Sequence, residues 1–143
     1  MSTANSPAWA DLHVGLELPT LEVPLTASVI VAGAIATRDF MPVHHDRAYA
    51  EKQGAPDIFM NILSTNGYVA RFVTDWAGAN AMLRKISLRL GAPAMPGYTL
   101  RFTGSVTRAD QDGDQGVVEI TFRGATEIGD HVSGTVTLAL SVL

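Results

Sequence analysis

Residues 38–78 read RDFMPVHHDRAYAEKQGAPDIFMNILSTNGYVARFVTDWAG, and this stretch decides the fold. It opens on a loop carrying Asp39, His44 and His45, in which Pro42 pushes Met41 out of helical geometry. Asp46 can cap a short helix over residues 47–53, with Gly54 as its C′ residue. Pro56 and Asp57 then open a long helix expected over about 58–74. Its apolar residues Ile58, Phe59, Met60, Ile62, Leu63, Tyr68, Val69, Ala70, Phe72 and Val73 cover almost the whole circumference. A helix apolar all round is a buried one. Asn61, Ser64, Thr65 and Asn66 are its uncharged polar exceptions, and Arg71 is its one interior charge.

Downstream the pattern changes to period 2, the mark of half-buried strands. Over 81–90, Ile86, Leu88 and Leu90 oppose Lys85, Ser87 and Arg89. Over 97–107, Tyr98, Leu100, Phe102 and Val106 oppose Thr99, Arg101, Thr103, Ser105 and Thr107. Over 116–123, Val118, Ile120 and Phe122 alternate with Glu119, Thr121 and Arg123. Over 131–142, Val132, Val136, Leu138, Leu140 and Val142 alternate with Ser133, Thr135, Thr137 and Ser141. Asp112-Gly113 and Gly129-Asp130 mark the turns. Four strands with one apolar face need a cover, and the 58–74 helix is the element long and apolar enough to supply it. The expected class is α+β: a curved antiparallel sheet wrapped around a long central helix, the hot-dog architecture.

Upstream, residues 1–8 are small and polar and are expected to be loose. Pro19 and Pro24 flank a short edge strand near 21–25. Thr26 then caps an Ala-rich helix over 27–36, for which a strand is the competing reading because of its Val, Ile and Gly33.

The 143 residues fit a single domain, and 47% hydrophobic against 17% charged residues supplies a core. A net charge of −4 argues against a nucleic-acid binder. The absence of cysteine excludes disulfides, thiolate metal sites and cysteine nucleophiles. The N-terminus lacks the pattern of a signal peptide. The longest membrane candidate, 29–36, falls far short of the roughly 20 residues a spanning helix needs. The expectation is a soluble, cytoplasmic protein.

Asp39 and His44, a carboxylate and an imidazole on one constrained loop, can hold a water between them, take a proton from it and deliver one to a substrate carbon. A solvent loop with unremarkable polar residues is the alternative. Adjacent histidines seldom point at one ion, so no metal is expected. His13 and His131 read as neutral surface histidines. The first N–H groups of the long helix can polarise a carbonyl, with the backbone of Asn61 as donor. Arg84, Lys85 and Arg89 form the densest basic cluster and are candidates for a carrier's phosphates, against the default of a solvated strand face.

The D-x-x-x-x-H spacing from Asp39 to His44, with Pro42 between, resembles the hydratase motif of the MaoC-like hot-dog enoyl-CoA hydratase family. The resemblance implies a water-activating dyad at Asp39 and His44 and an oxyanion donor at the Asn61 N–H. It implies no cofactor, since coenzyme A is part of the substrate. The family commonly has glycine at the position of Asn61 and asparagine at that of Met41. Met41 leaves room for a bulky apolar substrate, and Met41, Phe59 and Tyr68 are expected to set the pocket's width. The segments ATRDFMPVHHDR, DIFMNIL, RFVTDWAG and LRLGAP further resemble the small catalytic subunits of heteromeric steroid side-chain enoyl-CoA hydratases. That implies an unsaturated steroid-CoA substrate and a second MaoC-like hot-dog subunit without a working dyad, in a heterotetramer, with a homodimer as the alternative. A partner also follows physically, because one wrapped sheet leaves edges unpaired and has little depth for a CoA thioester. The expected activity is hydration of a 2-enoyl-CoA. A hot-dog acyl-CoA thioesterase, a non-catalytic subunit of a hydratase complex and an acyl-binding module without chemistry are the rivals.

Overall fold

The structure is a computed structural model and describes residues 6–142. Of the segment expected to be loose, residues 1–5 lie outside the described residues, while Pro7 and Ala8 lead into a 3-10 turn at Trp9–Asp11. The elements that follow are β1 (Leu21–Pro24), α1 (Ala27–Ala36), α2 (Arg47–Lys52), α3 (Ile62–Ala77), β2 (Met82–Leu90), β3 (Thr99–Asp112), β4 (Gln115–Thr126) and β5 (Gly129–Ser141). The strands form one antiparallel sheet in the order β1-β3-β4-β5-β2. The sheet packs on α3, which is the hot-dog arrangement expected.

The caps fall where side-chain chemistry puts them. Thr26 accepts from the Val29 N–H at 3.1 Å and starts α1, so the helix wins over the competing strand. Asp46 accepts from the Tyr49 N–H at 3.0 Å and starts α2, and Gly54 follows it with φ 92°. At the β3–β4 hairpin, Gly113 takes φ 59° in a two-residue turn between the paired Asp112 and Gln115. The second hairpin turn is made by Glu127 and Ile128, two residues earlier than expected, and Gly129-Asp130 already belongs to β5.

The central helix differs from expectation in its limits and its surroundings. It spans Ile62–Ala77, not 58–74. The backbone just before it is committed elsewhere: Phe59 N–H donates to Val43 O and Met60 N–H to Ala94 O. Asn61 then caps the helix by accepting from the Ser64 N–H at 3.1 Å. Nor is α3 buried all round. Thr65, Val69, Phe72, Val73 and Ala77 face the sheet, whereas Ile62 and Leu63 are 51% and 50% exposed.

The buried face of α3 meets Leu100, Phe102 and Val106 of β3, Val118, Ile120 and Phe122 of β4, and Val132, Val136 and Leu138 of β5. Phe72 stacks on Phe102 with centroids 5.8 Å apart. The alternation expected from the sequence holds on β3, β4 and the middle of β5; it breaks at His131 and Val132, which are both buried, and again at Leu138, Ala139 and Leu140. On β2 it is blunted, with Ile86 and Leu88 half-buried and Leu90 exposed, because β2 is a sheet edge paired only with β5.

Phe102 lies at the contact between helix and sheet. Phe102→Ala is expected to cost about 3–5 kcal/mol, the usual range for a fully buried aromatic. Urea titration of the two proteins measures it as a lowered midpoint at an unchanged slope.

Candidate active site

Asp39 reaches its position through the end of α1. Arg38 adopts φ 58°, the left-handed conformation that glycine usually supplies. Its N–H donates to Ile35 O, and the Asp39 N–H reaches back to Ala34 O at 2.9 Å. This paired closure ends the helix and delivers Asp39 directly beyond it. His44 comes from the next turn, the 3-10 segment Pro42–His44, with Met41 extended before the proline as expected.

The two side chains converge. Asp39 Oδ2 lies 3.4 Å from His44 Nε2, with the aspartate about a quarter exposed and the histidine nearly buried. His44 Nδ1 is 2.7 Å from the carbonyl oxygen of Phe59. A carbonyl only accepts, so Nδ1 carries the proton, and in the neutral imidazole Nε2 presents a lone pair toward Asp39. The Phe59 ring packs edge-on against the imidazole at 5.1 Å. Two acceptors facing one spot suit a water that donates one hydrogen to each.

Asn61 holds the aspartate. Its Nδ2 donates to Asp39 Oδ2 at 3.0 Å and to Thr37 Oγ1 at 2.9 Å, while its Oδ1 caps α3. The Met41 N–H adds a longer bond to Asp39 Oδ1 at 3.3 Å. The Asn61 amide is the main reason the Asp39 carboxyl sits below its ordinary range, with smaller help from Met41 and His44 against the opposing effect of burial. Asp39 is therefore ionised at neutral and mildly acid pH. Among the described residues, the Asn61 N–H meets no protein acceptor. The sequence points to this backbone group; the role of the Asn61 side chain emerges only from the structure, because its partners Thr37 and Asp39 lie 24 and 22 residues away in the chain.

These groups line a cleft of about 290 Å³, walled by Phe59, Met60, Asn61 and Ile62 on one side and Leu90, Gly91, Ala92 and Pro93 on the other. Phe59 is in the lining as expected. Met41 is not: its side chain is 47% exposed outside the cleft, because the turn at Pro42 directs its N–H inward. Tyr68 is half-buried against the core on α3 and also lies outside the lining. Arg84, Lys85 and Arg89 are exposed on β2 and none of them lines the cleft; Arg84 reaches Gln115 instead, at 3.4 Å. Among the described residues, no three His, Cys, Asp or Glu side chains gather as metal ligands would.

His131 corrects the sequence reading. It is not a surface histidine but is 3% exposed and part of the cleft wall. Gly124 pairs with Val132 and Ala125 with Asp130, so His131 is the extra residue of a bulge. The bulge breaks the alternation and buries His131 and Val132 together. Burial pushes the His131 pKa down, only partly offset by its bond to Ala92 O.

Two consequences are measurable. Asn61→Asp keeps an oxygen for the Ser64 cap, removes the donor to Asp39 and adds a second carboxylate. In carboxyl-carbon NMR, Asp39 is expected to titrate at higher pH in this variant than in the wild type. His131 is neutral in the folded state and has a lowered pKa, so the stability it carries is complete above the ordinary histidine value of 6.5 and is lost as pH falls from there through its folded-state pKa. The wild-type Tm is expected to decline over that window, and His131→Gln to flatten the decline.

With this geometry in place, the comparisons with known proteins are informative. The chain matches the MaoC like domain over residues 14–128. It is 45% identical over 127 residues to the 3-oxo-4,17-pregnadiene-20-carboxyl-CoA hydratase beta subunit of Mycobacterium tuberculosis (strain ATCC 25618 / H37Rv), covering 89% of this chain and 95% of that one. Among solved structures, it superposes on a chain of the ChsH1–ChsH2 complex from Mycobacterium tuberculosis with a TM-score of 0.84 at 45% identity, over 90% of this chain and 98% of that one. The (R)-hydratase from A. caviae involved in PHA biosynthesis superposes with a TM-score of 0.81 at 22% identity, over 91% and 98% of the two chains, which shows the same fold. The motif in the α1–α2 loop, the sheet wrapped on α3 and these matches agree: the chain belongs to the MaoC-like domain family and has its hot-dog fold.

Proposed function

We propose that this chain is the catalytic subunit of an enoyl-CoA hydratase, a hydro-lyase that adds water across the 2,3 double bond of an enoyl-CoA thioester to give a 3-hydroxyacyl-CoA. Its proposed substrate is a steroid side-chain enoyl-CoA, and its proposed partner is a second MaoC-like hot-dog subunit. The observation that carries this reading is the 3.4 Å approach of Asp39 Oδ2 and His44 Nε2 beside the start of α3. The 45% identity to a steroid carboxyl-CoA hydratase beta subunit, and to a chain of a two-component complex, supports the substrate class and the partner.

In this mechanism a water sits between the two acceptors. Its oxygen attacks C3 as the dyad takes one of its protons, and C2 receives a proton from the same pair. Both proton transfers pass through the Asp39–His44 pair, whose Oδ2 and Nε2 lie 3.4 Å apart and face the same point. Charge moves onto the thioester oxygen as C3 is attacked. The Asn61 N–H and the N-terminal end of the α3 dipole stabilise it there. No cofactor takes part, because coenzyme A arrives as part of the substrate.

The partner has a physical rationale. A cleft of about 290 Å³ is at the lower edge of what a drug-sized ligand occupies, and smaller than a steroid-CoA needs. β2 is an open edge, and Ile35, Phe40, Ile62 and Leu63 remain exposed on the segments around the dyad. A second subunit would supply the missing wall. Of the strand cations Arg84, Lys85 and Arg89, Arg89 is the candidate for a CoA phosphate, since it adjoins Leu90 of the cleft whereas Lys85 lies about 17 Å along the strand from Leu90. No helix among the described residues is long and apolar enough to cross a membrane. A cytoplasmic location completes the reading.

Asp39→Asn and His44→Ala are each expected to slow hydration by about 10²- to 10⁴-fold while leaving the fold intact. The assay follows loss of enoyl absorbance on short-chain and steroid enoyl-CoAs, with and without the candidate partner. Near-full activity in both folded variants would contradict the mechanism.

A further inference from the structure

His131 and Thr65 form a bridge across the cleft that the reaction itself does not use. His131 Nδ1 lies 2.7 Å from Ala92 O, and its Nε2 lies 2.8 Å from Thr65 Oγ1. The carbonyl can only accept, so Nδ1 carries the proton and Nε2 takes the Thr65 hydroxyl hydrogen. Both ring nitrogens are thereby engaged, and His131 has neither a free proton nor a free lone pair for a substrate, although it lines the cleft.

The bridge ties one cleft wall to the helix that begins at the other. Ala92 belongs to the Leu90–Pro93 wall, whose backbone is tied to the same bulge by Gly91 N–H to His131 O and Ala92 N–H to Asp130 O, both 2.7 Å. Thr65 stands in the first turn of α3, four residues after Asn61. Its N–H donates to Asn61 O at 3.1 Å, and its hydroxyl oxygen lies 3.2 Å from that same carbonyl. The Asn61 amide in turn holds Asp39.

We propose that His131 and Thr65 are positioning residues: their hydrogen bond fixes the first turn of α3 against the Ala92 wall, and so fixes where Asn61 places its N–H and its grip on Asp39. A bulge is the backbone device suited to this, because its extra residue is left out of the ladder and can be re-aimed at a site. The role of the bridge in turnover rests on the hydratase reading; its effect on Asp39 does not.

The test compares Thr65→Val, which keeps the volume and loses the hydroxyl, with Thr65→Ser, which keeps the hydroxyl. It uses the full chain, with the partner subunit added for turnover. Carboxyl-carbon NMR should show Asp39 titrating at higher pH in Thr65→Val and at the wild-type pH in Thr65→Ser. Hydration should fall about 10- to 100-fold in kcat with little change in KM for Thr65→Val, as a misplaced reacting group requires, and recover in Thr65→Ser. His131→Leu, which fills the bulge but offers no acceptor to the Thr65 hydroxyl, carries the same comparison if Thr65→Val does not fold. An unshifted Asp39 titration in the folded variant would overturn the positioning role whatever the activity, and leave the bridge a purely structural contact. A shifted titration in Thr65→Val, with a wild type that hydrates no enoyl-CoA in the presence of the partner, would support the bridge and overturn the hydratase reading instead.

Discussion

The structure turns on the carboxamide of Asn61. One side chain makes three bonds: it caps α3 through the Ser64 N–H, ties to the end of α1 through Thr37, and holds the Asp39 carboxylate. The capping requirement sets where the central helix begins, since an N-cap residue is itself extended. The same constraint leaves the Asn61 N–H free at the mouth of the helix and keeps a negative charge close to it. Helix start, dyad geometry and the ionisation of Asp39 are therefore one coupled problem with one residue at its centre.

The sheet makes that coupling rigid. Strands β3, β4 and β5 bury a continuous apolar face against α3, so the helix has little freedom to rotate or slide. Its N-terminus emerges where β2 ends and the chain turns through Gly91 to Pro93. The cleft is the gap between a fixed helix end and a fixed strand end. It is roofed by the Asp39–His44 loop and closed from below by His131.

Much of this was legible in the sequence because it is periodic or locally signalled. Alternation on β3, β4 and β5 required a cover, and only one apolar stretch was long enough to give it. Thr26, Asp46 and Gly54 announced their helix ends through cap chemistry. The Asp39–His44 spacing marked the loop. What was not legible depended on partners far apart in the chain. Ile58, Phe59 and Met60 look helical in the sequence, but their N–H groups are taken by Asp57 Oδ1, Val43 O and Ala94 O in turn, so the helix starts later. β2 was read as half-buried although an edge strand need not be. Strict alternation from Ser133 would put His131 on the solvent face, and a one-residue bulge reverses that. The sequence points to the Met41 side chain as a substrate contact, whereas the structure places only its N–H at the site.

The central claim is that Asp39 and His44 hold a water which adds to the double bond of an enoyl-CoA. Its most direct test is to run the reaction of the chain and its candidate partner in ¹⁸O-labelled water and weigh the products. The account requires a 3-hydroxyacyl-CoA carrying the label on its hydroxyl oxygen, formed by the wild type and not by the Asp39→Asn protein at the same time point. Free coenzyme A with the label in a released carboxylate would mean thioester hydrolysis and would contradict it.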